Sequence, residues 1–124
     1  MQMRSSAEDY LETILLLSKK TGAVRSKDIV DEMGFSKPSI SVAMKKLRND
    51  DLIQMDGDGY ITLTDKGEEA ATQVYERHSM LYDWLISIGV KESVAAADAC
   101  RIEHILHDES FAAIKRDFEG RQQK

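Results

Sequence analysis

The sequence predicts a mainly α chain with a small β-hairpin wing, arranged as a winged helix-turn-helix over residues 1–70 followed by an all-helical half over residues 71–124. Three observations lead there. One proline and seven glycines in 124 residues leave room for long helices with few breaks. A short amphipathic stretch is followed by a serine-capped basic one, the order of a helix-turn-helix. Directly after these come two short β-like runs joined by Asp56-Gly57-Asp58-Gly59, a strong hairpin-turn signal.

Each element has its own local cause. Ser6 is placed to cap the first helix, with Asp9 three residues on, where a capping box usually carries Glu. That helix is expected to run to about Lys20, with Tyr10, Leu11, Ile14, Leu15 and Leu17 on its apolar face, and to stop at Thr21-Gly22. Ser26 then caps a short helix, Lys27 to Met33, which Gly34 ends. Ser36 caps the third, with Pro38 in the first turn, where its missing N–H costs little. Ile40, Met44 and Leu47 recur at i, i+4 and i+7, with Ala43 on the same side; Ser39, Ser41, Lys45, Lys46 and Arg48 take the other. After Asp50-Asp51, the runs Leu52 to Met55 and Tyr60 to Thr64 are the expected strands. Thr64-Asp65 opens a long helix from about Lys66 to Ile88, ended by Gly89 and carrying Ala70, Val74, Met80, Leu81, Trp84 and Leu85. A last helical region, Ser93 to about Phe118, is broken near Asp108, and the segment from Glu119 to Lys124 reads as a frayed end.

Composition narrows the function. The chain is 42% hydrophobic and 31% charged, which fits a folded domain and not a disordered one. Its length excludes a large enzyme. No stretch holds the roughly 18 consecutive apolar residues of a membrane span, and the polar N-terminus lacks the apolar core of a signal peptide. The single cysteine, Cys100, excludes an internal disulfide framework and fits a reducing compartment, so a cytoplasmic location is expected, with no membrane partner. The net charge of −5 argues mildly against nucleic acid as a partner, but the charge is uneven. Between Phe35 and Asn49 stand Lys37, Lys45, Lys46 and Arg48 and no acid, with Arg25 and Lys27 just upstream. All three histidines and the cysteine lie after residue 77. Two chemistries divide the chain.

The first is DNA recognition. A helix that reads base edges needs short donors and acceptors near its N-terminus, and cations along it and beside it to hold phosphates. Arg25, Lys27, Ser36, Lys37, Pro38, Ser39, Ser41, Lys45 and Lys46 supply that pattern. The alternative is an ordinary solvated helix face; the preceding short helix and the following hairpin favour DNA. Lys66 and the wing tip are further candidates for phosphate, although Asp56 and Asp58 would be repelled there.

The second is metal binding. Asp9 and Glu12 stand at i, i+3, and Cys100, Glu103 and His104 at i, i+3, i+4, each set on one helix face, with His78 on the helix between. Together these are carboxylates, imidazoles and a thiolate, a mixed hard and borderline-soft donor set. Each has a plain alternative: first-turn acids favour the helix dipole, and a lone Cys or His is often only packed. His107 also shares the spacing of Glu103 and His104, and Glu76, Asp98 and Arg101 are candidates to orient ligands.

Three segments resemble the diphtheria-toxin-repressor family of metal-dependent transcriptional repressors, and within it the shorter manganese-transport-regulator branch. They are Glu8-Asp9-Tyr10-Leu11-Glu12, Arg77-His78 and Asp98-Ala99-Cys100-Arg101-Ile102-Glu103-His104, and the likeness runs from Ala7 to about Phe118. Asp9 and Glu12 follow the manganese branch, whereas Cys100 stands where that branch usually has Glu and the iron branch has Cys. Ala96 stands where the iron branch's ancillary site needs histidine, so that site is expected to be absent, as is an SH3-like third domain. The resemblance implies a homodimer whose second half is a helical dimerisation and metal-binding domain. It implies Asp9, Glu12, His78, Cys100, Glu103 and His104 as ligands to one or two ions of Mn(II) or Fe(II).

The expected function is therefore a metal-activated dimeric repressor that binds double-stranded operator DNA to control metal-uptake and homeostasis genes. It would be no enzyme and would have no small-molecule substrate. A winged-helix regulator that responds to an organic ligand is the alternative, and a small dinuclear metalloenzyme a remote third, since no acid/base pair or substrate loop accompanies the ligands.

Overall fold

The computed structural model describes residues 2–122 as six helices and a three-stranded antiparallel sheet. In chain order these are α1 (Gln2–Thr21), β1 (Val24–Arg25), α2 (Ser26–Met33), α3 (Lys37–Asn49), β2 (Ile53–Met55), β3 (Tyr60–Leu63), α4 (Asp65–Ser87), α5 (Glu92–Ile105) and α6 (Asp108–Gln122). Two compact units divide between Val74 and Tyr75, inside α4. Among the described residues no helix is long and apolar enough to cross a membrane.

The first unit is built as the sequence implies, with local differences. Helix α1 begins at Gln2, so Ser6 lies inside it and is not its cap. Asp9 and Glu12 consequently stand beyond the first turn, where the dipole no longer accounts for them. Arg25, not Ser26, is the N-cap of α2: its backbone N–H donates to Oδ2 of Asp28 at 2.9 Å, and Gly34 closes the helix in the left-handed region at φ 74°. Ser36 caps α3, its Oγ accepting from the Ser39 N–H at 3.3 Å. Ile40, Met44 and Leu47 are buried beneath it and join Leu11, Ile14, Leu15, Val24, Ile29, Ile53, Ile61 and Ala71 in one core.

The sheet has the order β1-β3-β2, with Val24 opposite Ile61 and Ile53 opposite Leu63. Strand β1 is absent from the sequence reading, because two residues carry no alternation to detect. In the wing turn Asp56 Oδ1 accepts from the Asp58 and Tyr60 N–H groups, both at 2.9 Å, and Gly59 takes φ 86°. The start of α4 is tied to the loop before β2. Thr64 Oγ1 accepts from the Gly67 N–H at 3.0 Å and donates to the Asp51 carbonyl at 2.7 Å. Gly67 lies so close to the backbone of Leu52 that a Cβ there would sit 1.9 Å from its carbonyl oxygen.

The second unit packs Leu81 and Leu85 of α4 against Ala95 and Ala99 of α5, with Trp84, Ile102, Phe111 and Ile114 around them. Gly89, at φ 98°, follows α4. The break near Asp108 is real: α5 stops at Ile105 and α6 starts at Asp108, with the Phe111 N–H bonded to the His107 carbonyl at 3.0 Å. Helix α6 runs to Gln122, past the expected end at Phe118; its 119–122 segment is helical, and Gln123 and Lys124 lie outside the described residues.

Candidate functional site

On α5 the residues Ala95, Ala99 and Glu103 recur every four positions and are all buried, so an acid occupies the stripe that packs the core. The Glu103 side chain is 2% exposed, and neither carboxylate oxygen accepts a hydrogen bond. Two imidazole nitrogens face it instead: His78 Nδ1 from α4 at 3.7 Å and His104 Nε2 from α5 at 3.5 Å, both to Oε1. These separations exceed hydrogen-bond length, as do those between neighbouring donors on one cation. The ligand atoms of Cys100, Glu103 and His104 lie within 4.8 Å of one another, with Cys100 on the exposed side and Glu103 on the buried side.

A buried, hydrogen-bond-poor carboxylate costs about 1–3 kcal/mol when uncompensated. Burial beside two imidazoles and a thiol is the arrangement a divalent ion relieves, and the donor types suit a borderline transition metal. The residues present therefore fit a metal ion. His107 does not belong to this group: α5 ends before it, and it is exposed. Asp9 and Glu12 lie partly buried on one face of α1 in the first unit.

Arg77, beside His78, plays a part that sequence reasoning left unassigned. Its Nη1 donates to Asp108 at 3.1 Å, its Nη2 to the Leu106 carbonyl at 3.1 Å, and its guanidinium lies 4.7 Å from the Phe111 ring centre. This clamps α4 to the α5–α6 corner one residue from a candidate ligand. The signal was the spacing of a lone Arg next to His78 and an Asp at a helix break, which becomes a pair only in three dimensions.

In the first unit, Ser36, Lys37, Pro38, Ser39, Ser41, Lys45 and Lys46 are all exposed on or beside α3, as are Arg25 and Lys27. Arg25 is already engaged: Nη2 donates to the Asp58 carbonyl at 2.7 Å, and the guanidinium stands 5.0 Å from the Tyr60 ring centre. It braces the wing. Asp56 Oδ1 holds the turn amides of Asp58 and Tyr60, so this acid shapes the wing tip while keeping its negative charge there. Lys66 Nζ bonds the Asp50 carbonyl at 3.1 Å.

Comparison with known proteins agrees with both halves. Residues 2–61 match the family model described as the iron dependent repressor N-terminal DNA binding domain, and residues 64–122 match the iron dependent repressor metal binding and dimerisation domain. The chain is 31% identical over 112 residues to the transcriptional regulator MntR of Escherichia coli O6:H1, covering 90% of this chain and 72% of that protein. It is 35% identical over 101 residues to the HTH-type transcriptional regulator MntR of Listeria welshimeri, covering 82% and 71%. Among solved structures, a manganese-dependent transcriptional repressor in complex with manganese superimposes with a TM-score of 0.81 at 28% identity, over 90% of this chain and 51% of that one. The chain thus spans about half the length of the solved repressors it matches. With a winged helix carrying an exposed basic face and a helical unit carrying a metal-competent group, the chain belongs to the iron-dependent repressor family, a family of metal-dependent transcriptional repressors and not of enzymes.

Proposed function

We propose that this chain is a Mn(II)- or Fe(II)-activated dimeric repressor, acting in the cytoplasm on operator DNA that controls metal uptake. The observation that carries the reading is Glu103, a carboxylate buried on the core stripe of α5, faced by two imidazole nitrogens and given no hydrogen-bond donor. Relatives named for manganese-dependent repression support the metal class. The proposed ligands are His78, Cys100, Glu103 and His104, completed by Asp9 and Glu12, for one or two ions per chain. Residues 1–70 would be the DNA-binding domain, with its first helix lending ligands, and residues 71–124 the dimerisation and metal-binding domain. Response to an organic ligand has no counterpart in the family description, which assigns the second domain to metal and dimerisation.

Once bound, the ion supplies positive charge and a cross-link. Two ions would take the net charge from −5 to about −1 before proton loss, which eases approach to phosphate. Holding Asp9 and Glu12 together with the second-unit ligands would favour one arrangement of the DNA-binding heads, a population shift worth about 1–3 kcal/mol per linkage. On the DNA side, Ser36, Ser39 and Ser41 reach base edges, while Arg25, Lys27, Lys37, Lys45 and Lys46 hold phosphates and Pro38 sets the start of α3. Dimerisation would use the exposed apolar side chains of Val94 and Ile105, eleven positions apart on one side of α5 with Asp98 and Arg101 between them. The test is DNA binding by fluorescence anisotropy with chelator-treated protein, with and without Mn(II). Binding should need metal and fail in His104→Ala; metal-independent binding that survives in that variant would overturn the reading.

A further inference from the structure

Val42 is 71% exposed, the most exposed large apolar side chain of the first unit among the described residues. At 100° per residue it lies roughly 190° from the middle of the buried Ile40, Met44 and Leu47 stripe, so it stands on the outermost line of α3. Its neighbours one turn away in either direction are Pro38, Ser39, Lys45 and Lys46, all exposed. A β-branched apolar residue there adds nothing to the core and lowers helix propensity. It is a large apolar group at the centre of a face that otherwise carries Pro38, hydroxyls and cations.

We propose that Val42 reads sequence: its isopropyl group packs on the 5-methyl of a thymine in the major groove, once per half-site. Thymine is the base whose major-groove edge offers an apolar group. Valine has no donor or acceptor, so a guanine or adenine edge in the same place would lose hydrogen bonds and be disfavoured. The flanking hydroxyls and ammonium groups take the polar contacts around it. This inference rests on the DNA-binding reading above and adds a specificity-determining residue to it.

The experiment uses the full chain loaded with Mn(II). A preferred duplex is selected from a randomised library, and each thymine is then replaced in turn by uracil, which removes only the methyl group. One thymine per half-site should be sensitive, its replacement weakening binding by about 4-fold, the worth of one buried methyl, and about 15-fold when both half-sites change. Val42→Ala should bind the parent duplex about as weakly as wild type binds the uracil duplex, and should be indifferent to the replacement. Val42→Thr, which keeps one methyl, should retain part of the sensitivity. Because the side chain is exposed, the variants should keep wild-type circular dichroism, with Val42→Ala melting no lower than wild type. Equal uracil penalties in wild type and Val42→Ala, or no sensitive thymine, would overturn the proposal while leaving DNA binding intact. If the Mn(II)-loaded protein selects no duplex at all, the DNA-binding reading falls and this inference with it.

Discussion

Replacing Glu103 by Gln should move stability in opposite directions with and without metal. The carboxylate is 2% exposed and neither oxygen accepts a hydrogen bond, with imidazole nitrogens at 3.5 and 3.7 Å. In the metal-free protein this leaves an uncompensated penalty of about 1–3 kcal/mol. Gln has the same shape, carries no charge and adds an N–H₂ that can donate to a neighbouring imidazole. The metal-free variant should therefore be more stable by about 1–2 kcal/mol, which for a domain of this size is a rise of roughly 3–10 °C in Tm. The metal-loaded protein reverses the order. An ion present at 100 times its Kd stabilises wild type by about 2.7 kcal/mol, and losing an anionic ligand removes most of that. Paired thermal melts, in chelator and in excess Mn(II), read both signs. A Gln variant less stable than wild type in chelator would refute the claim that Glu103 is a strained carboxylate held for an ion.

Four further outcomes follow from the packing. Gly67→Ala should lose at least about 2 kcal/mol in urea unfolding despite the helix propensity of alanine, because the new Cβ meets the Leu52 carbonyl at 1.9 Å; an unchanged midpoint would mean that α4 can shift freely. Asp51, a non-glycine residue at φ 61°, should gain about 0.5–1 kcal/mol on replacement by Gly, measured the same way. Arg77→Ala should weaken Mn(II) affinity about 10-fold by loosening the clamp that seats His78, seen in calorimetric titration. Ile105→Asp, at a site 72% exposed, should shift sedimentation from dimer toward monomer while the helical circular dichroism signal is kept.

The fold could be read where local chemistry decides it. Ser36 with Pro38, Gly34, Asp56 to Gly59 and Thr64 all sit where their capping or turn roles require, and the core side of α3 follows its spacing. The sequence reading failed where tertiary context decides. Strand β1 exists only because β3 offers it a partner, and α1 extends back to Gln2 past a serine that would cap it in isolation. For the metal group, spacing put Cys100, Glu103 and His104 on one helix face. Spacing could not say that Glu103 falls on the buried stripe, nor that His107 lies past the end of α5. Arg25, expected to hold phosphate, also braces the wing, and Asp56 also fixes its turn, roles set by contacts 33 and 4 residues away in sequence that spacing does not reveal. Val42 carries no charge and no hydrogen-bonding group, so neither charge nor donor pattern singles it out in the sequence.

The most direct test of the central claim is an anaerobic titration of chelator-treated protein with Mn(II), followed by loss of the free-ion EPR signal and repeated with Fe(II) as competitor. The account predicts saturable uptake of one or two ions per chain, displacement by Fe(II), and loss of uptake in Glu103→Gln. Free-ion signal that rises in proportion to added Mn(II) from the first addition, with no Fe(II) binding, would contradict it.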